Sequence, residues 1–179
     1  VNSTISNNLV GVGLDLKAAN IADSKISIIS STISGHQKSA IATNKVSLSL
    51  ANSTISGNSG ASRGGAIRAL YSTLDLTNNT ITGNSVTSRG GGIYLNGSNL
   101  TLANNIVSGN QAYNTGVTEL LSIASSIITA SNANLFGDGS VTTSRALGST
   151  IPGNDDILAT SDSGQPFMVS EIIDSLADN

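Results

Sequence analysis

Asn52-Ser53-Thr54-Ile55-Ser56-Gly57-Asn58 returns as Asn78-Asn79-Thr80-Ile81-Thr82-Gly83-Asn84 and again as Asn104-Asn105-Ile106-Val107-Ser108-Gly109-Asn110. Both steps are 26 residues. Earlier copies are Asn2-Ser3-Thr4-Ile5-Ser6-Asn7-Asn8 and Ser30-Ser31-Thr32-Ile33-Ser34-Gly35-His36, and Ser125-Ser126-Ile127-Ile128-Thr129 reads as a faded last copy. A period of this length marks a chain built from stacked units rather than a single closed sheet or bundle.

Two further stretches recur in step with the first. Gly64-Gly65-Ala66-Ile67-Arg68-Ala69-Leu70 is followed by Gly90-Gly91-Gly92-Ile93-Tyr94-Leu95. Ser72-Thr73-Leu74-Asp75-Leu76-Thr77 is followed by Ser98-Asn99-Leu100-Thr101-Leu102-Ala103, with Lys25-Ile26-Ser27-Ile28 and Ser47-Leu48-Ser49-Leu50 before them. Apolar and polar residues alternate in all three, which is the strand signature. Three strands per period with no helical pattern between them exclude a βαβ unit. The pattern fits a coil whose equivalent strands stack in parallel, about 4.8 Å apart, in successive turns. The expected fold is therefore all-β, a right-handed parallel β-helix of about 5–6 coils of three short strands. Residues 1–131 hold the coils, and 132–179 form an irregular acidic cap or tail of the same domain.

Alternation assigns the side chains. Ile5, Ile33, Ile55, Ile81, Val107 and Ile128 are expected to form one inward column. Leu48, Leu74 and Leu100 form a second, Leu50, Leu76 and Leu102 a third, and Ile41, Ile67, Ile93 and Val117 line the remaining sheet. A narrow aliphatic core explains the absence of Trp and the presence of two Phe. Asn52, Asn78 and Asn104 form one corner column, below Asn2 and Ser30. Asn58, Asn84 and Asn110 form another, below Asn8 and His36. A stacked carboxamide carries both a donor and an acceptor and can satisfy the backbone groups that a bend leaves unpaired. Gly60-Ala61-Ser62-Arg63 and Val86-Thr87-Ser88-Arg89 read as loops between strands.

Charge is uneven. Residues 1–118 hold seven Lys/Arg and three Asp, whereas 119–179 hold one Arg and eight Asp/Glu, for a net charge of −3. The basic residues fall in different loops without an aromatic platform, so nucleic acid is not an expected partner. No apolar run is long enough to span a bilayer. No cysteine is present, which removes disulfides and Cys-ligated zinc. The chain opens inside a repeat and lacks an initiator Met, so it reads as a piece of a longer or processed chain. Near the other end, Met168–Leu176 reads as a short helix with Ser170 as its N-cap. Asn134-Leu135-Phe136-Gly137-Asp138-Gly139 breaks the period.

The pairing of Gly-Gly-(Ala/Gly)-Ile with (Thr/Val)-(Ile/Val)-Ser-Gly-Asn resembles the repeats of polymorphic outer-membrane-protein-like surface proteins. Asn134-Leu135-Phe136-Gly137-Asp138, Asp156-Ile157-Leu158-Ala159-Thr160-Ser161-Asp162 and Leu176-Ala177-Asp178-Asn179 occur in the order found in the bacterial choice-of-anchor Q domain family. That resemblance implies a β-helix protein secreted to a bacterial surface, and it supplies no catalytic residues. In that family the last motif continues into a Gly-Gly-Pro-Thr segment, which this chain does not reach.

The expected function is accordingly structural or adhesive, at the cell surface or in the extracellular matrix, with self-association or flanking solenoid coils as partners. End-to-end stacking into fibres is natural for coils with open strand edges. One alternative is carbohydrate binding or polysaccharide degradation. Degradation needs clustered acids, whereas Asp15, Asp23 and Asp75 are scattered. Arg68 and Tyr94, at outward positions on neighbouring strands, could grip a sugar, and an ordinary solvated face is the plainer reading. A second alternative is ice binding by the outward ladder Thr4/Ser6, Thr32/Ser34, Thr54/Ser56 and Thr80/Thr82. β-propensity on a solvated face explains the same residues. His36 reads as a corner substitution rather than a metal ligand. No cofactor is expected. Asp138, Asp155, Asp156 and Asp162 could offer oxygen ligands to calcium, but their spacing matches no EF-hand and a solvated acidic loop is favoured.

Overall fold

The structure, a computed structural model, describes residues 3–8, 11–20, 24–59, 61–114 and 116–163. The chain winds as a right-handed parallel β-helix. Its first coil is β1 (Ser3–Ser6), β2 (Leu14–Lys17) and β3 (Lys25–Ile29), and its second is β4 (Ser31–Ser34), β5 (Ile41–Asn44) and β6 (Ser47–Ala51). The third gains a strand: β7 (Thr54–Ser56), β8 (Ala61–Arg63), β9 (Ile67–Leu70) and β10 (Thr73–Thr77). The fourth repeats this with β11 (Thr80–Thr82), β12 (Ser85–Arg89), β13 (Ile93–Asn96) and β14 (Asn99–Ala103). The fifth is β15 (Ile106–Ser108), β16 (Gln111–Ala112), β17 (Leu120–Ile123) and β18 (Ile127–Ser131). Beyond it come β19 (Leu135–Phe136), the helix α1 (Thr143–Leu147) and β20 (Ile157–Leu158).

Equivalent strands pair in parallel. The first sheet runs β1-β4-β7-β11-β15-β19-β20, the second β2-β5-β9-β13-β17 and the third β3-β6-β10-β14-β18. A fourth sheet, β8-β12-β16, stands where the sequence suggests loops. Once two neighbouring coils carry insertions of similar length, their backbones can pair with each other instead of with water.

The inward columns are continuous. Ile33, Ile55, Ile81 and Val107 are in register on the first sheet and fully buried. Leu48, Leu74 and Leu100, with Leu50, Leu76 and Leu102, do the same on the third. Burial of each such side chain contributes roughly 1.5–3 kcal/mol.

Three assignments differ from expectation. Ile128 pairs with Leu100 on the third sheet, not with Val107 on the first. The faded copy is therefore a third-sheet strand, and its likeness to Thr-Ile-Ser reflects the shared alternation. The first column continues instead through Phe136 and Leu158. Asn134-Leu135-Phe136 thus extends the repeat rather than breaking it, because Asn134 takes the place of Asn105 one coil on. On the second sheet Leu120, not Val117, stands in register with Ile93. Helix α1 packs against β17 and carries Ala146 and Leu147 into the core. The expected helix at Met168–Leu176, like Asn2, lies outside the described residues.

Most bends between the three main sheets follow one rule: a residue with positive φ, then a polar side chain turned inward. Between the third and first sheets the bending residues are Ser30, Asn52, Asn78 and Asn104, with φ of 51°, 51°, 56° and 55°. Asn52, Asn78 and Asn104 are exposed. Their column has one side-chain bond, Asn78 Nδ2 to Asn52 Oδ1 at 3.2 Å. The buried ladder is one residue further on, through Ser53, Asn79, Asn105 and Asn134. Asn105 Oδ1 accepts from Asn79 N at 2.9 Å and from Asn79 Nδ2 at 3.0 Å, and Asn134 Oδ1 treats Asn105 alike.

After the first sheet, Gly35, Gly57, Gly83 and Gly109 supply the positive φ. The inward residues are His36, Asn58, Asn84 and Asn110. Asn84 Oδ1 accepts from Asn58 N at 3.2 Å and Nδ2 at 2.8 Å, while Asn84 Nδ2 donates to Ile55 O at 3.0 Å and Thr82 O at 3.1 Å. His36 supplies the acceptor and the donor that the carboxamide directs at the preceding coil. Its Nδ1 accepts from Asn8 N at 3.1 Å, so Nε2 carries the proton and donates to Ile5 O at 3.1 Å. The ring fits because residue 13 is Gly, where a Cβ would stand 2.7 Å from it. At the remaining bend the inward residues are Val46 and then serines, with Val46 N donating to Ser72 Oγ at 3.3 Å, Ser72 N to Ser98 Oγ at 3.0 Å and Ser98 N to Ser126 Oγ at 3.1 Å.

The two kinds of corner Asn separate in a stability measurement. Asn84→Ala removes the acceptor of Asn58 N and the donor to Ile55 O and Thr82 O in a dry interior, at roughly 1–3 kcal/mol for each group left unpaired, so unfolding free energy is expected to fall by about 2–5 kcal/mol. Asn78→Gly keeps the positive φ and loses an exposed contact, and is expected to change stability by under about 1 kcal/mol. Denaturant midpoints check both, and equal losses would refute the ladder as the main determinant of the bend.

Candidate functional site

Because the corner carboxamides and serines are consumed by the ladders, a site must be built from outward residues and inserted segments. The hydroxyls of the first sheet lie in two rows. Thr4, Thr32, Thr54 and Thr80 are in register, as are Ser6, Ser34, Ser56 and Thr82. Thr4, Ser6 and Thr32 are exposed; Ser34, Thr54, Ser56, Thr80 and Thr82 are half-buried. The first row is replaced by Ile106 and Leu135, and the second passes into buried Ser108. A shallow depression bordered by Thr4, Thr32, Thr54 and Asn52 lies on this face.

Tyr94 and Arg68 do not make the expected open pair. They are in register on β13 and β9, and Arg68 is exposed, but Tyr94 is 1 % exposed. The fourth sheet covers it. Arg63 on β8 donates from Nη1 to Tyr94 Oη at 3.1 Å and lays its guanidinium 5.3 Å from the ring centroid. This cation–π contact and the hydrogen bond restrict Arg63 while leaving its other donors outward. Gly90 makes the cover possible. Its φ is +65°, and a Cβ there would stand 3.1 Å from Tyr94 Cβ.

Beside this cover is a groove of about 340 Å³. Lys38, Arg63 and Arg68 supply its charge, Ser39 and Ser62 line its walls, and the small Ala42 forms part of its floor. None of its lining residues is acidic. Arg89 on β12 is in register with Arg63, and Ser39 Oγ donates to Arg63 O at 3.4 Å. Lys38, Arg63 and Arg89 therefore mark three consecutive coils. The nearby acid Asp15, in register with Ala42, is 2.7 Å from Lys17. Among the described residues that is the one ion pair.

The acidic residues after the fifth coil are engaged locally. Asp156 Oδ1 accepts from Asn134 N at 2.8 Å and Nδ2 at 2.9 Å, and Oδ2 accepts from Gly153 N at 2.7 Å. It therefore ends the Asn79–Asn105–Asn134 ladder. Asp138 accepts from Ser140 N and Oγ. Asp162 accepts from Thr143 N at 2.6 Å and Oγ1 at 2.8 Å, bonds that hold its carboxyl below the usual range. Asp155 is exposed. No group of three or more His, Cys, Asp and Glu that could hold a metal forms among the described residues.

Glu119 is the residue that sequence reasoning overlooked. It ends the second ladder: Asn110 Nδ2 donates to Oε2 at 2.6 Å, and Asn110 N lies 3.3 Å from both carboxylate oxygens. Glu119 is fully buried. Burial pushes its carboxyl up to about 8, against the opposing pull of the Asn110 bonds and with help from the charge of Asp138. It sits in an irregular stretch, so no periodicity exposes it. Arg63 did carry a signal, since it and Arg89 occupy the same place 26 residues apart.

Comparison of the chain with protein-family models, with curated proteins and with solved structures finds no match.

Glu119 links stability to pH. Between about 4.5 and about 8 the unfolded chain releases a proton that the folded chain keeps, so stability is expected to fall as pH rises through that window. Glu119→Gln preserves the carbonyl acceptor for Asn110 and is expected to flatten this slope. Denaturation midpoints at the two ends of the window measure it, and an unchanged slope in the variant would assign the dependence elsewhere.

Proposed function

We propose that the chain is a structural and adhesive solenoid segment of an extracellular or cell-surface protein, extended by further coils stacked on its first rung. The observation that carries this reading is the contrast between the two ends. At one end the Asn ladders terminate in Glu119 and Asp156, and α1 places Ala146 and Leu147 against the last coil. At the other, β1, β2 and β3 are the outermost strands of their sheets among the described residues. The inward Ile5, Leu14, Leu16, Ile26 and Ile28 are there half-buried. Their counterparts Ile33, Ile41 and Leu50 one coil on are 0 % exposed.

Half-covered aliphatic columns and unpaired strand groups favour the addition of another parallel coil in the same register. A second copy of this chain or a flanking coil of the same repeat has the matching alternation. The likeness of Asn134–Asp138 and Asp156–Asp162 to choice-of-anchor Q segments supports a surface location. The binding half of the function falls to outward residues, because the ladders occupy the inward polar ones.

Sedimentation velocity over a rising protein concentration tests the stacking. Association of the open first rungs into a dimer is expected, together with its loss in Ile26→Lys, which places a charge on the open rung. A wild-type chain that stays monomeric throughout would refute self-association.

A further inference from the structure

We infer that the groove between the second and fourth sheets, built by Lys38, Arg63 and Arg68 and extended by Arg89, is a binding site for an acidic saccharide chain. Like charges on adjacent strands repel at a coil spacing of about 4.8 Å. Here Arg63 and Arg89 are paired in register, with Lys38 and Arg68 on the same groove. Nothing within the groove offsets this charge, since no acid lines it and Asp15 is held by Lys17. A fold stabilised through its ladders can tolerate such repulsion, and an anion bound from outside would relieve it.

The geometry restricts what that anion is. Arg63 is fixed by the Tyr94 ring and hydroxyl, so its remaining donors are preorganised for a carboxylate or sulfate. Lys38, Arg63 and Arg89 recur once per coil, with Arg68 a second cation on the third, which suits a charged polymer lying along the solenoid axis. Exposed Ser62 adds a hydroxyl to the wall, complementary to sugar hydroxyls between the charges. Nucleic acid fits less well. The ring that could stack on a base is covered, and a net charge of −3 opposes a densely charged polyanion.

The proposal deepens the adhesive half of the proposed function and does not depend on self-association. Titration calorimetry with a short oligogalacturonate, a heparin-derived oligosaccharide, a neutral dextran oligomer and a single-stranded oligonucleotide tests it on the whole chain. One or both acidic saccharides are expected to bind, weakening with salt, and the neutral oligomer is not. Arg68→Gln, a change at an exposed residue, is expected to lower affinity about tenfold or more. Arg63→Gln is expected to do the same, with its circular-dichroism spectrum and melting temperature recorded to confirm folding. Lys25→Gln, on the third sheet, is expected to bind as the parent does. Binding of neither acidic saccharide, equal affinity in Arg68→Gln, or tighter binding of the oligonucleotide would overturn the inference. A monomeric chain that binds the acidic oligomer would sink the stacking reading and leave this one standing. A chain that assembles without binding would do the reverse.

Discussion

The structure depends on the buried carboxamide at the corner. This β-helix turns its backbone sharply three or four times per coil while keeping a dry core, and each bend turns backbone donors away from the strand ladders. In Asn84 and Asn105 one side-chain oxygen takes two donors of the preceding coil, and one amide nitrogen returns to carbonyls on either side. The bond crosses from coil to coil, so each bend also fixes the register of its neighbour. The aliphatic columns supply most of the favourable burial, but hydrophobic burial has no direction. The ladder is what makes Ile stack on Ile rather than slide past it.

The ladder also governs its own exceptions. His36 enters because an imidazole presents an acceptor and a donor as a carboxamide does, and Gly13 leaves room for the ring. Glu119 and Asp156 end the two Asn ladders among the described residues, and each supplies the acceptor that the preceding Asn needs. Asp156 retains a backbone amide at its second oxygen. Glu119 lies deeper and is driven toward its neutral form. The first rung has no comparable termination among the described residues, and its aliphatic side chains are half-exposed. Among the described residues the two ends of the solenoid therefore differ, with carboxylates on the ladders at one and half-exposed aliphatic columns at the other.

Interior regularity shifts chemistry to the insertions. Arg63 and Arg89 lie on segments that pair into a fourth sheet, and that sheet roofs Tyr94 and aligns cations. Outward placement on a strand is thus not the same as exposure. Arg68 and Tyr94 are in register, yet one is open and the other sealed. The hydroxyl rows of the first sheet grade similarly from exposed Thr4 to buried Ser108.

The 26-residue repeat and the alternation within it determined the coil, the parallel stacking, the Ile and Leu columns and the ladder through Asn58, Asn84 and Asn110. These were legible because in a solenoid each residue's main neighbour is its own equivalent one period away, so a one-dimensional pattern already contains the contacts. Contacts that depart from the period were not legible. Tertiary structure alone decided that Asn79 and not Asn78 turns inward, since the positive-φ residue occupies the outer side of the bend. It likewise decided that Arg63 covers Tyr94, that Ile128 serves the third sheet, and that a lone Glu119 replaces an Asn. In each case the outcome depends on how segments of unequal length pack across coils, a three-dimensional constraint that residue spacing does not encode.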